Sequence, residues 1–300
     1  MEQQTNHTLS YDNLGTHWYI TIYDTVSDNQ KELLNQTIQT YLGSFERMYS
    51  RFRNDSIVAQ LSNEWVVENP SQELIDMLTF VIDIEEKSEW YFSILLADTL
   101  TSSWYGKHIW EQKPLDVVPL KSILTISSTK ITLAPWYSLD FWWFGKGWAV
   151  DGVAQIVQDS GIWHAIINGG GDIRVLTIDD PHTLILEDPM DHTKSIWKIQ
   201  LTQWWVAASS PNRRKRMHEW KLYHHLINPH TKQSVQSPLI AVHTYAKNTL
   251  LADVASTILF VCPLEKVESI AQKLWVEYFL VFDDYSTMRS KGYPWKLIVE

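Results

Sequence analysis

The most constraining stretch of this sequence is Leu139 to Asp151, which reads Leu-Asp-Phe-Trp-Trp-Phe-Gly-Lys-Gly-Trp-Ala-Val-Asp. An apolar strand end enters a helix there through a turn that contains glycine, and the helix is expected to continue to residue 158. Backbone N–H groups at the start of a helix attract anions, and Lys146 adds a mobile positive charge. A Gly-Lys-Gly turn is also common as a purely structural feature. The stretch therefore predicts a strand-turn-helix unit and leaves two interpretations of its turn.

Strand and helix patterns intermix along the rest of the chain. The sequence predicts strands over 18–23, 123–126, 130–133, 165–167, 173–176 and 183–186. It predicts helices over 31–48, after Pro70-Ser71, over 250–260 and after Pro263. Because these elements lack the strict alternation of a Rossmann-like sheet, we predict an α+β layered fold with mixed or antiparallel sheets and packed helices. No linker or repeat interrupts the pattern, so we expect a single domain over residues 1–300 with its core in 14–262.

Charge and cysteine content exclude several classes of protein. The chain has 25 basic and 35 acidic residues, a formal charge of −10, which disfavours nucleic-acid binding. Cys262 stands alone, so neither a disulfide framework nor a thiolate metal site is expected. No segment has the length of a membrane span, and the first ten residues carry no signal sequence. We expect a cytoplasmic protein as the sequence is written, or an exported, membrane-anchored one if the true start lies upstream.

Two further segments carry candidate ligand-binding groups. The first is Asn168-Gly169-Gly170-Gly171-Asp172, where three glycines allow either an anion-binding nest or a plain tight hairpin. The second is a predicted helix in which Asp253 and Thr257 lie four residues apart and face the same way. A carboxylate, a hydroxyl and nearby carbonyls suit Mg²⁺, although an isolated Asp-x-x-x-Thr is more often a cap or a surface pair.

The histidine pair His224-His225 has no carboxylate or thiolate partner at the spacing of a zinc motif. We therefore expect one histidine to contact a ligand ring or a phosphate rather than to bind zinc.

Taken together and in this order, these segments resemble the ApbE family from Gly15-Thr16 to Thr257. The family's Phe-Ser-Arg-Phe pattern is similar to Tyr49-Ser50-Arg51-Phe52, and its Gly-Ala-Phe-Asp pattern is similar to Trp90-Tyr91-Phe92-Ser93. Its Asp-x-Gly-Ala-x-x-Lys-Gly pattern is similar to the segment from Asp140 to Gly147. Its Asn-x-Gly-Gly-Asp pattern is similar to the glycine loop, and its Ala-Thr-Ser-Gly pattern is similar to residues 208–211. Its His-Ile-Ile-Asp-Pro pattern is similar to residues 225–229, and its Asp-x-x-x-Thr pattern is similar to Asp253 to Thr257. The resemblance implies a T-fold-like architecture and an FAD:protein FMN transferase.

The resemblance also implies roles for individual residues. Asp253 and Thr257 would ligate Mg²⁺ together with the main-chain carbonyl of Trp143, and Asp253 and Lys146 would act in catalysis, with Asp253 as the nominated general base. The FAD site would be lined by Tyr91, Phe92, Ser93, Asp140, Lys146, Gly169, Gly170, Gly171 and His225. The partners would be FAD, as substrate, and an acceptor protein that carries the modified Thr or Ser, for which a subunit of a redox membrane complex is one candidate.

Two alternatives remain from the sequence. One is an FAD pyrophosphatase, in which water replaces the protein hydroxyl, and the other is a non-catalytic flavin-binding protein.

Several residues depart from the family patterns. Ser93 and Asn228 stand where the family has Asp, and Ser209 stands where it has Thr. Tryptophan stands where the family or the turn chemistry requires a small residue, mostly glycine, at Trp90, Trp142, Trp143, Trp204, Trp205 and Trp220.

We hypothesise that many of these tryptophans are UGA codons of an organism that reads UGA as glycine. Glycine is scarce, with 11 of 300 residues, while tryptophan has 16. Pooled, 11 + 16 = 27 of 300 is about 9%, near the usual glycine share of ~7% plus a few true tryptophans. The rival hypothesis is a tryptophan-rich protein with an aromatic ligand platform.

Overall fold

The computed structural model describes residues 6–97, 116–176, 182–191, 193–201, 204–211, 215–218 and 221–293. In this part of the chain there are six α-helices: α1 (Asp28–Tyr49), α2 (Ile57–Glu64), α3 (Gln72–Lys87), α4 (Trp142–Asp159), α5 (Thr249–Val261) and α6 (Leu264–Leu274). A short 3₁₀ turn covers Leu120–Ser122.

The same residues form seventeen strands: β1 (His7–Asn13), β2 (Thr16–Ile22), β3 (Val66–Glu68), β4 (Leu124–Ile126), β5 (Lys130–Leu133), β6 (Ala165–Gly169), β7 (Asp172–Leu176), β8 (His182–Glu187), β9 (Ser195–Leu201), β10 (Trp204–Ser209), β11 (Lys215–His218), β12 (Lys221–His224), β13 (Ile227–Asn228), β14 (Gln233–Ser234), β15 (Leu239–Tyr245), β16 (Glu277–Phe282) and β17 (Thr287–Arg289).

The central element is an eight-stranded sheet in the order β1-β2-β6-β7-β10-β15-β16-β17. Every neighbouring pair in it is antiparallel. A three-stranded sheet, β3-β5-β4, lies apart from it, and β8 with β9, β11 with β12 and β13 with β14 form three separate pairs.

Alternation along the strands gives the central sheet two covered faces. On β10, Ala207 joins the large hydrophobic cluster that contains the helices, whereas its neighbour Val206 joins a smaller cluster. On β16, Leu280 belongs to the large cluster and Phe279 to the smaller one. Because successive strand side chains point to opposite faces, the helices cover one face and the smaller cluster covers the other.

Two helices show how the sequence fixes local structure. Ser27 caps the start of helix α1, and its hydroxyl accepts a hydrogen bond from the amide of Gln30 in a capping box. The helix buries Leu34, Ile38 and Leu42 along one face. Helix α5 begins at Asn248 and is buried over its whole length from Thr249 to Val261. Any polar side chain on α5 therefore lies in the protein interior.

The structure confirms the α+β prediction, and the helices predicted over 31–48 and 250–260 and after Pro70-Ser71 and Pro263 agree with the structure to within a few residues at their ends. The predicted strand-turn-helix unit is wrong in part: helix α4 begins at Trp142, so Gly145-Lys146-Gly147 lies within the helix rather than in a turn, and residues 134–140 before it do not form a strand. The predicted strands 123–126 and 130–133 form the antiparallel hairpin of β4 and β5. Many of the strands were not predicted from the sequence, among them β15, which is buried at nearly every position and shows no alternation of apolar and polar residues. No helix in the described ranges is long and apolar enough to cross a membrane.

Candidate functional site

Helices α4 and α5 come into close contact at Gly147. A Cβ atom built on Gly147 would lie 2.8 Å from Asp253 Cβ and 2.8 Å from the Leu250 Cα atom. Glycine at this position therefore lets the two backbones approach more closely than any other residue would allow. The amide of Gly147 uses the approach to donate a hydrogen bond of 2.9 Å to Asp253 Oδ2.

Lys146 lies between two buried carboxylates. Its ammonium group forms ion pairs with Asp172 and, at 3.3 Å, with Asp253 Oδ1. Burial by itself lowers the pKa of Lys146, but the two carboxylates more than offset this effect and hold the pKa above its usual value. The side chain of Lys146 as a whole is 18% exposed.

Asp172 is a site residue to which the sequence analysis gave no separate role. It ends the glycine loop and is 1% exposed, and its partner Lys146 lies in a different motif. The sequence signal was the loop pattern itself, which ends in an aspartate.

The glycine loop is the tight hairpin between β6 and β7. Gly170 and Gly171 have φ of +68° and +101°, values that favour glycine. The amide of Gly170 donates to the His17 carbonyl at 3.1 Å, and that of Gly171 donates to Asn168 Oδ1 at 2.9 Å. Gly169 pairs with Trp18 of β2. Two of the loop amides therefore donate to acceptors within the protein. The main observed effect of the loop is to place the Asp172 carboxylate in contact with the Lys146 ammonium group.

Hydroxyl groups surround the predicted metal ligands. Asp253 and Thr257 lie one helical turn apart on α5, with 5% and 8% of their surface exposed. Ser209 at the end of β10 lies 3.2 Å from Thr257 Oγ1 and 2.6 Å from Ser256 Oγ. The described residues contain no group of three or more His, Cys, Asp or Glu side chains placed to hold a metal. A cation here would depend on Asp253, hydroxyls and main-chain oxygens, which is a donor set of the kind that Mg²⁺ accepts.

Asp140 forms a buried ion pair just before α4. Its Oδ2 atom lies 2.9 Å from Arg51 Nε, and its Oδ1 atom accepts a hydrogen bond of 2.9 Å from the Trp142 amide. Burial raises the pKa of Asp140, while the Arg51 charge and the Trp142 N–H group act in the opposite direction. The amide of Asp140 donates to the Ile94 carbonyl at 2.8 Å. This bond joins the start of α4 to the segment that follows Ser93.

The segment Tyr91–Ser93 offers one partly exposed ring and two buried side chains. Phe92 is 2% exposed and belongs to the hydrophobic core. Tyr91 is half-buried, with its ring 4.8 Å from the ring of His230 and 5.4 Å from the ammonium of Lys266. Of these three residues, Tyr91 has the side chain best placed to meet a ligand.

Ser93 contacts a buried carboxylate that the sequence analysis did not identify. Its hydroxyl donates to Glu85 Oε1 at 2.9 Å, and the amide of Leu120 donates to Glu85 Oε2 at 2.8 Å. Glu85 is 3% exposed, and burial raises its pKa to about 7, against the lowering effect of these two hydrogen bonds. Glu85 occupies the inward face of α3, and this periodicity was the one sequence signal that could have found it.

The two adjacent histidines have different environments. His224 is buried and structural, with Nε2 bonded to the Val235 carbonyl at 2.8 Å and Nδ1 accepting from the Leu226 amide at 3.2 Å. His225 is half-buried at the end of β12. A role for His225 in ligand binding stays a prediction, as do the roles assigned to the other predicted site residues.

Comparison with known proteins agrees with the motifs. The ApbE family model matches residues 14–280 of this chain. Among curated relatives, the FAD:protein FMN transferase of Escherichia coli strain K12 is 21% identical, covering 96% of this chain and 88% of the relative. The protein of the same name from Vibrio cholerae is 23% identical, with coverages of 95% and 92%.

Solved structures show the same fold. The ApbE protein of Thermotoga maritima superimposes with a TM-score of 0.82 at 19% identity, over 96% of this chain and 98% of that chain. The flavin transferase ApbE of Vibrio cholerae gives a TM-score of 0.81 at 20% identity, with the same coverages. Since the family model matches most of its length, this chain belongs to the ApbE family.

Proposed function

We propose that this protein is a Mg²⁺-dependent FAD:protein FMN transferase, which moves FMN from FAD to a Thr or Ser hydroxyl of an acceptor protein and releases AMP. The observation that carries the proposal is the contact of Lys146 with both Asp172 and Asp253. Three motifs that are distant in sequence meet there around one ammonium group in the protein interior. Curated relatives over nearly the whole chain bear the name of this activity.

Lys146 would neutralise the substrate. The pyrophosphate of FAD is anionic, and attack at one phosphorus increases the negative charge on its oxygens. Asp172 and Asp253 hold the ammonium in place, so it does not need to reorganise during the reaction. With its pKa above the usual value, Lys146 stays charged throughout the neutral range.

Asp253 and Thr257 would hold Mg²⁺, together with the main-chain carbonyl of Trp143. Asp253, Thr257 and the neighbouring Ser209 offer oxygen donors only, and all are buried, which fits a hard cation. The ion would supply positive charge beside the pyrophosphate. In the structure the Asp253 carboxylate accepts hydrogen bonds from Lys146 and from the Gly147 amide, and this cluster of a carboxylate with a cation supports a role for these residues beside an anionic substrate.

The transfer forms one bond and breaks one. The acceptor hydroxyl oxygen bonds to the phosphorus of the FMN half, and the bond from that phosphorus to the bridging oxygen breaks, so that AMP leaves with that oxygen. The hydroxyl proton is lost in the same reaction, and Asp253 is the nominated base for it. Tyr91 would present its ring to the isoalloxazine, and aromatic contacts of this kind contribute roughly 0.5–1.5 kcal/mol.

A transfer assay tests the proposal. The protein is incubated with FAD, Mg²⁺ and a peptide from a protein whose threonine carries phosphoester-linked FMN, and the peptide mass is measured. We expect the mass of FMN to be added to the peptide and AMP to be released in equal amount. Lys146→Met and Asp253→Asn should abolish the addition, whereas Lys130→Met, which removes an exposed ion pair with Glu68, should leave it unchanged.

Other outcomes would identify the alternatives. Free FMN and AMP without a modified peptide would show an FAD pyrophosphatase. Stable FAD binding without turnover, unchanged in Asp253→Ala, would show a flavin-binding protein instead.

A further inference from the structure

Tryptophan occupies a backbone conformation in this protein that favours glycine. Among the described residues, nine that are not glycine have positive φ, and four of them are tryptophans: Trp65 (59°), Trp90 (60°), Trp136 (76°) and Trp275 (57°). Tryptophan makes up 16 of the 300 residues, about 5%, so four in nine is far above its share. A bulky side chain is strained in this region, because its Cβ approaches the backbone carbonyl.

Two of these positions are helix ends that glycine commonly forms. Trp65 caps the end of helix α2, and Trp275 caps the end of helix α6. Both cap residues have the left-handed backbone conformation. This is the position at which glycine most often terminates a helix. The indole of Trp275 is 85% exposed, so no packing compensates for the strain there.

The indole groups divide into two kinds by their hydrogen bonds. Trp18 is fully buried and donates to the Asn13 carbonyl at 3.0 Å, and Trp148 donates to Glu73 Oε1 at 3.1 Å. In contrast, the buried Nε1 atoms of Trp65, Trp143 and Trp205 have no acceptor among the described residues. A buried N–H group without an acceptor is destabilising, although the rings of Trp65 and Trp205 do pack against Trp136 and Arg174.

Two tryptophans also fill the start of α4. Trp143 is 5% exposed, and the Trp142 ring lies over Gly15, so that a Cβ on Gly15 would be 3.2 Å from Trp142 Cη2. Both indoles belong to the first turn of α4, between Asp140 and Lys146, and Lys146 is the residue proposed to neutralise the FAD pyrophosphate. Neither residue has a positive φ, so the conflict at these two positions is the volume of the indole rings.

We propose that positions 65, 90, 136 and 275 are glycine in the native protein, and that tryptophan stands there because UGA codons were translated as tryptophan. Positions 142 and 143 are glycine for the same reason, and the absence of their indoles opens the ligand site. Trp18 and Trp148 are true tryptophans. The part that concerns 142 and 143 rests on the proposed function, whereas the part that concerns the four positions with positive φ does not.

The gene and the native protein give the direct test. We expect UGA at codons 65, 90, 136, 142, 143 and 275, UGG at codons 18 and 148, and glycine in the corresponding peptides of protein purified from the source organism. UGG at any of the six positions would overturn the assignment there, and tryptophan in the native peptides would overturn it altogether.

Thermal unfolding of the chain as printed gives an independent test. Trp275→Gly and Trp136→Gly should each raise Tm by roughly 1–3 °C, because the relief of strain exceeds the added flexibility of the unfolded chain. The matched control is Trp163→Gly, since Trp163 is 51% exposed but does not have positive φ, and it should not raise Tm. Trp148→Gly should lower it. A fall in Tm for Trp275→Gly would contradict the inference.

FAD binding tests the ligand site. The double variant Trp142→Gly/Trp143→Gly should bind FAD at least about tenfold more tightly than the printed chain, and Trp142→Ala/Trp143→Ala, which keeps the helix propensity, should show the same direction. Unchanged affinity in both folded variants would overturn the part of the inference that concerns the site. Absence of FAD binding in every variant would count against the proposed function, while the Tm shifts at 136 and 275 and the codons would remain as expected.

Discussion

The amide of Gly147 donates to Asp253 Oδ2 at 2.9 Å, at a point where the backbones of α4 and α5 are close enough that a Cβ on Gly147 would overlap its neighbours. The hydrogen bond and the close approach depend on each other. Asp253 is held beside Lys146 because the residue after Lys146 has no side chain.

We predict that Gly147→Ala separates the two helices and destabilises the protein by about 1–3 kcal/mol, the usual range for overpacking. Chemical denaturation would measure the change. The matched control is Gly145→Ala in the same helix, where the new Cβ would meet only Phe45 Cε1 at 3.8 Å. That substitution should be neutral or stabilising by up to roughly 1 kcal/mol, because alanine favours the helix. Equal stability for both variants would contradict the close approach.

We predict that Lys146→Met costs about 3–5 kcal/mol at neutral pH, because Asp172 and Asp253 lose the cation that pairs them in the interior. The loss should shrink at acidic pH, where protonation of a carboxylate removes the uncompensated charge. Urea unfolding at pH 5 and pH 8 would show the difference. Lys130→Met removes an exposed pair with Glu68 and should change stability by less than about 1 kcal/mol at either pH.

We predict that Glu85→Gln removes a pH dependence of stability. The pKa of Glu85 is about 7 in the folded protein against a reference of 4.5, so the folded state retains a proton that the unfolded state releases. This carboxyl group therefore makes stability fall as pH rises from about 4.5 to about 7, by roughly 3 kcal/mol in total. Unfolding measured across that range should be flatter in Glu85→Gln. Glu86→Gln, at an exposed ion pair with Lys121, should leave the slope unchanged.

We predict the opposite slope for His243. It is 6% exposed in the smaller cluster, burial lowers its pKa to about 4, and neither ring nitrogen has a partner among the described residues. The unfolded state thus binds a proton more readily, and stability falls as pH drops from about 6.5 to about 4. His243→Phe should therefore be more resistant to acid. His17→Phe is the control, because the His17 side chain is 75% exposed. An unchanged acid midpoint in His243→Phe would contradict the assignment.

The effects of Glu85 and His243 oppose each other between about pH 4.5 and 6.5. Each single variant should expose the slope of the other residue, and the double variant should lose both. A change of slope in the double variant equal to the sum of the changes in the two single variants would show that the two groups act independently.

Local patterns in the sequence determined the main elements. The spacing of Leu34, Ile38 and Leu42 predicted α1, the turn residues after Ile126 predicted the β4–β5 hairpin, and Gly161 predicted the end of α4. These signals depend on residues within about one helical turn of each other, which the sequence shows directly. The motif segments were recognisable for the same reason, because each is a short run with fixed spacing.

The contacts between those segments were decided only by the tertiary structure. Lys146 is 26 residues from Asp172 and 107 from Asp253, yet it contacts both, and no local pattern specifies that meeting. Glu85 was unremarkable in sequence and became a buried partner of Ser93 through the packing of α3. The left-handed backbone at Trp65 and Trp275 was likewise visible only once the chain was folded. Local patterns in the sequence determined the helices and several strands, whereas tertiary packing, including the close approach of two backbones at Gly147, determined which charges face one another.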